Sequence, residues 1–206
     1  MHQFWIVLGI TVFLGVGVAT ASDQAQEVKA AEKKAHQLEK KAAGEEVKAH
    51  PAPAAKIKKS EVQAVDPAGK WGLNNAITCL SRAIYWEARG DGSAAMEAVA
   101  NVVMNRLGHE GFPDTVCKVV KEGRRHGECQ FSWWCDGRSH AAKDEKSYAV
   151  AKEVSRKALN RQLADRTHGA LYFHHRKVHP AWSKKYLRTA QIGQLVFYRP
   201  HGGVAK

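Results

Sequence analysis

The chain has 206 residues, with 32 Lys and Arg against 20 Asp and Glu, a formal net charge of +12. Such a basic excess points to an anionic partner: a cell-wall polymer, an acidic lipid or a nucleic acid. Once a low-complexity amino-terminal part is set aside, the length leaves room for one domain of ordinary size.

In chain order, residues 1–21 contain no Lys, Arg, Asp or Glu, and residues 4–18 are apolar apart from Gly and Thr. Ala19-Thr20-Ala21 then supplies a small-x-small cleavage site, which predicts a secretory signal peptide. The missing basic n-region and the length of the apolar run leave a second reading, an uncleaved inner-membrane anchor through residues 4–21. Either way the remainder is periplasmic or secreted. Residues 22–65 are mostly Ala, Lys and Glu, without aromatics. Residues 26–48 could form a charged, solvated helix, but Val28, Leu38 and Val47 make no heptads and Pro51-Ala52-Pro53 breaks the run. Too little apolar surface offsets ordering entropy, so 22–65 is expected to be a disordered linker. The folded domain is placed at 66–206 and keeps most of the positive charge.

Within it, Asn74 or Asn75 can cap a helix running to about Arg89. Ile77, Leu80, Ile84 and Glu87 share one face of that helix. Three are apolar and the fourth is an acid. A carboxylate against a core needs a partner, for which Arg82 and Arg89 are candidates, or its pKa rises until it can serve as a general acid. Gly90 is expected to end this helix in a left-handed cap. Ser93 can cap a second helix through Leu107, whose stripe is Met96, Val99, Val103 and Leu107; Asn101 and Asn105 share another face. Residues 115–121 are short and apolar, either a helical turn or a strand. Residues 122–142 read as a loop holding Cys129-Gln130-Phe131-Ser132-Trp133-Trp134-Cys135. Its aromatics form either a satellite core or one wall of a sugar-binding cleft. Asp144 can cap a helix over 145–162. Residues 169–174 and 193–198 read as strands flanking a basic run over 184–188. The class is therefore α+β, one mostly helical domain with a small antiparallel sheet.

The four cysteines, Cys79, Cys117, Cys129 and Cys135, favour disulfides in an exported chain. Of three possible pairings, Cys129–Cys135 closes a short loop and leaves Cys79–Cys117. No Cys-x-x-Cys occurs, and His174, His175 and His179 fall at a strand end and in a loop, so no metal and no cofactor is expected. There is no Gly-x-Ser-x-Gly, no phosphate-binding glycine loop and no nucleic-acid recognition motif. Glycoside chemistry remains, with Glu87 as the acid. Asp91 is either a second carboxylate or a turn residue.

These residues resemble the SleB/CwlJ-type cell wall hydrolases. Ile84-Tyr85-Trp86-Glu87-Ala88-Arg89-Gly90 is similar to the family's core motif. Val102-Val103-Met104-Asn105-Arg106, Phe112-Pro113-Asp114-Thr115-Val116-Cys117, Cys129-Gln130-Phe131-Ser132, Gly169-Ala170-Leu171-Tyr172-Phe173, Trp182 and Val196-Phe197-Tyr198 follow in order. The resemblance implies a lysozyme-like domain that cleaves peptidoglycan between N-acetylmuramic acid and N-acetylglucosamine. It implies lytic transglycosylation of glycan strands, with Glu87 as catalytic acid. The basic charge adds an anionic cell envelope as partner, and a monomer is expected. Tyr85, Arg89, Asp91, Asn105, Gln130, Phe131, Trp133, Tyr172 and Trp182 are the candidate substrate contacts. Two departures are Asp91, where the family usually has Glu, and Met96, where it has Gln. The alternatives are a zinc-dependent amidase and a non-catalytic wall-binding protein.

Overall fold

A computed structural model describes residues 21–44, 56–123 and 129–202. The expected signal segment up to residue 20, the break at 51–53 and residues 124–128 of the long loop lie outside these. The helices are α1 (Ala21–Ala42), α2 (Lys59–Ala64), α3 (Ala76–Ala88), α4 (Gly92–Arg106), α5 (Val116–Val120) and α6 (Glu145–Leu159). The strands are β1 (Tyr172–His175), β2 (Leu187–Ile192) and β3 (Leu195–Arg199). The domain is thus mostly helical with one small antiparallel sheet.

Helix α3 is the axis of the core and packs against α1, α4, α5 and α6. Asn75 caps it, its side chain accepting from the Thr78 N–H at 2.9 Å. Ile77, Leu80 and Ile84 are fully buried, each contributing about 1.5–3 kcal/mol by leaving water. Cys79 pairs with Cys117 and so ties α3 to α5, while Cys129 pairs with Cys135. Asp66 lies buried in a turn, where its carboxylate accepts from Arg82 at 2.6 Å and from the Tyr148 hydroxyl at 2.7 Å.

The described residues of the 22–65 stretch, 22–44 and 56–65, depart from the linker expectation. Helix α1 packs against α2 and α3 with Ala31 and Ala35 fully buried one turn apart. Small side chains let the helices approach without an apolar heptad seam. Polar ties do the rest. Glu39 accepts from the Val116 N–H, Glu32 from the Asn75 amide, and Lys34 pairs with Glu61 at 2.6 Å. Ile57, Val62 and Val65 are also core residues, and Ile57 exchanges two hydrogen bonds with the Asn160 side chain. The packed structure therefore begins well before residue 66.

At the α3–α4 junction the left-handed residue is Gly92 (φ +82°), not Gly90; Arg89 still has helical dihedrals. Asp91 takes the N-cap position of α4 without a side-chain capping bond, and Ser93 lies inside the helix. The expected stripe of Met96, Val99, Val103 and Leu107 is buried. Residues 116–120 are helical, capped by Thr115. Asp144 caps α6 through the Lys146 and Ser147 N–H groups. The sheet has the order β1-β3-β2, with Tyr172 opposite Tyr198 and Leu195 opposite both His175 and Ile192. Strand β2 covers residues read from sequence as a basic connection. It is a polar edge strand with a bulge near Thr189, so it lacks the alternation that marks a half-buried strand.

Candidate active site

Glu87 lies in the last turn of α3, half-buried. Neither arginine proposed as its partner reaches it. Arg82 is taken by Asp66 and by the His140 carbonyl. Arg89 donates to the Tyr85 hydroxyl at 2.8 Å and stacks over the Tyr85 and Trp86 rings. Among the described residues no hydrogen bond or ion pair holds the Glu87 carboxyl. Burial pushes its pKa up to about 7, and the Arg106 charge only partly opposes this.

Arg106, at the end of α4, is the residue the sequence reading did not single out. It is 2% exposed. Its Nε donates to the Leu171 carbonyl at 2.7 Å and its Nη2 to the Gln130 side chain at 3.1 Å. The rings of Phe112, Phe131 and Tyr172 surround the guanidinium at 5.1–5.7 Å. Burial pulls its pKa down to about 10, against the pull of Glu122, Tyr172 and Glu87. It remains a cation at neutral pH. The sequence signal was present: Arg106 follows Val103 by three on the same stripe that buries Met96 and Val99, as Glu87 follows Ile84.

Arg106 also forms part of the floor of a cleft of about 1240 Å³. Gln130, Glu122, Tyr172, His174, Trp182 and Tyr186 are among its lining residues. The last four are rings that pack together. Trp182 stands 5.7 Å from Tyr172, 5.6 Å from His174 and 5.8 Å from Tyr186, ring centre to ring centre. Such faces stack on sugar rings, while the polar floor can bond hydroxyl and amide groups. Glu87 does not itself line this cleft; Arg106, whose charge acts on Glu87, connects the two.

The other sequence candidates separate. Gln130, Tyr172 and Trp182 come together in the cleft. Phe131 is fully buried beneath Arg106 and packs on Phe173. Tyr85 is fully buried too, its hydroxyl accepting from the Lys143 and Asp144 N–H groups. It anchors the start of α6 and is not on the cleft. Asn105 donates to Asp165 and to the Ala170 carbonyl, holding the segment that leads into β1. Asp91 sits beside the β2–β3 hairpin, where a Cβ on Gly193 would meet the Asp91 Cβ at 3.4 Å. Trp133 is 6% exposed and packs with Trp134 and His140 as a satellite core. With Trp86 and Arg89 it borders a separate cavity of about 210 Å³. Met96 is buried in the core. Among the described residues no three His, Cys, Asp or Glu side chains converge as a metal site requires.

Residues 90–198, just over half the chain, match the Cell Wall Hydrolase family. The chain belongs to that family. As a cell wall hydrolase it is 32% identical over 127 residues to the spore cortex-lytic enzyme of Halalkalibacterium halodurans, covering 60% of this chain and 34% of that one. It is likewise 32% identical over 119 residues to the spore cortex-lytic enzyme of Bacillus subtilis, covering 58% and 35%. The chain thus spans about a third of the length of these relatives. Among solved structures it is similar to the catalytic domain of the Bacillus cereus SleB protein. There the identity is 29% and the TM-score 0.49, covering 60% of this chain and 89% of that one. The family match begins at Gly90, three residues past Glu87.

Proposed function

We propose that this cell wall hydrolase cleaves the glycan strand of peptidoglycan between N-acetylmuramic acid and N-acetylglucosamine, as a lytic transglycosylase with Glu87 as its one catalytic carboxyl group. The observation that carries the reading is an unpartnered, half-buried Glu87 whose pKa of about 7 leaves it protonated in a large fraction of molecules at neutral pH. Such a group can give a proton and take one back at the same pH. Glu87 protonates the glycosidic oxygen as the bond to muramic C1 breaks. The buried Arg106 cation then steadies the carboxylate that results. The muramic C6 hydroxyl attacks C1 and gives its proton to Glu87, closing a 1,6-anhydro ring and restoring the acid. No water is consumed. The solved catalytic domain of SleB from Bacillus anthracis, 28% identical with a TM-score of 0.49, is described as that of a germination-specific lytic transglycosylase.

The two disulfides support an oxidising compartment, and hence export to the periplasm or beyond. No helix among the described residues is long and apolar enough to cross a membrane; an anchor through residues 4–21 remains part of the proposal. The net charge of +12 suits a monomer working in an anionic envelope. The zinc amidase reading finds no convergent ligand set among the described residues. Mass spectrometry of digested peptidoglycan tests the chemistry. 1,6-Anhydro ends are expected. Reducing muramic ends contradict the transglycosylase step, and free stem peptides contradict glycan cleavage.

A further inference from the structure

Two atoms of the cleft-lining residues are buried without a partner, Nη1 of Arg106 and Oε2 of Glu122. The other Arg106 nitrogens are committed to Leu171 and Gln130, so the guanidinium is fixed in orientation and Nη1 is left over. Glu122 feels the Arg106 charge, yet no nitrogen of Arg106 lies within 4.0 Å of its carboxylate, the limit for an ion pair. A gap therefore separates one unused donor from one unused acceptor. Buried polar atoms are rarely left unpaired, because each loses its hydrogen bonds to water.

We propose that Arg106 and Glu122 form a subsite for the acetamido group of an N-acetylated sugar, Arg106 donating to the amide oxygen and Glu122 accepting the amide N–H. The assignment rests on the glycan-strand reading above and names the group that the cleft recognises. A trans amide presents one acceptor and one donor pointing apart, one for each of the two unpaired atoms. A carboxylate would suit Arg106 but be repelled by Glu122; an ammonium would suit Glu122 but be repelled by Arg106. A bare hydroxyl has no methyl group, whereas the cleft also offers the apolar face of Tyr172, whose ring lies 5.6 Å from the Arg106 guanidinium carbon.

The test is calorimetric titration of the full chain with two neutral tetrasaccharides, the β-1,4 tetramer of N-acetylglucosamine and that of glucose. These differ only at the acetamido position. The wild-type chain is expected to prefer the N-acetylated tetramer by about tenfold or more. Glu122→Ala is expected to abolish the preference by weakening that tetramer alone. Glu122→Gln, whose amide oxygen can still accept the N–H, is expected to restore most of it. If the wild-type preference survives in Glu122→Ala, or if that variant weakens both tetramers equally, the subsite is misassigned and the glycan reading stands. If the wild-type chain binds neither tetramer, the glycan reading falls, and the subsite with it.

Discussion

Replacing Glu87 by Gln should disable the protein at any pH, but should stabilise it only at high pH. The unfolded carboxyl titrates near 4.5 and the folded one near 7. Between these values the native state holds a proton that the unfolded state has released. Stability from this group is therefore complete below about pH 4.5 and is lost as pH rises through about 7. At 1.36 kcal/mol for each pH unit between the two pKa values, the ionised folded state carries a penalty of at most about 3 kcal/mol at pH 8. Gln has the shape of the protonated acid and escapes it. For a domain of this size about 1 kcal/mol moves Tm by roughly 2–4 °C, so the variant should gain several degrees at pH 8 and almost nothing at pH 4.5. Thermal unfolding of both chains by circular dichroism at the two pH values measures this. An equal Tm difference at both, or a less stable variant at pH 8, would refute the claim that burial raises the Glu87 pKa.

Four further outcomes follow from the same structure. In the proposed mechanism Glu87 acts in its protonated form, so kcat/KM should fall as pH rises through about 7. Arg106→Gln should move that limb to higher pH, because the cation that lowers the Glu87 pKa is gone; a pH–rate profile on peptidoglycan reads both. Tyr85→Phe should lose about 1–3 kcal/mol in denaturant unfolding, because two backbone N–H groups lose their acceptor, while the pH–rate profile keeps its position. Cys79→Ala with Cys117→Ala opens a link of sequence separation 38 and should lose about 4 kcal/mol in the same unfolding measurement.

Much of this was legible in the sequence where one physical signal acted alone. Asn75 and Asp144 have side chains suited to capping, and helices begin after both. Glu87 stood out as an acid on an apolar stripe, and the structure leaves it without the structural partners first considered. Arg106 obeyed the same stripe rule, but a basic residue at a helix end reads as solvated, and only the rings that surround it show otherwise. Tyr85 shares a motif with Glu87 and reads as a substrate contact, yet residues two apart on a helix lie about 200° around the axis, and its hydroxyl reaches the start of α6. The docking of α1, which reads as a solvated helix, was not legible because it runs through Ala31, Ala35 and the buried Glu39, which carry little hydrophobic signal. Glu122 could not be found at all. Its place in the cleft follows from the end of α5, from Arg106 on another helix and from the disulfide loop that brings in Gln130.

The most direct test of the central claim is the clearing of purified peptidoglycan by Glu87→Gln. Followed by turbidity near pH 6.5, with the wild-type chain beside it, the variant should lose activity by at least about a hundredfold, the low end of what a positioned acid contributes, while binding peptidoglycan as well as the wild type in a pull-down. Equal clearing by the two chains would contradict the assignment of Glu87 as the acid.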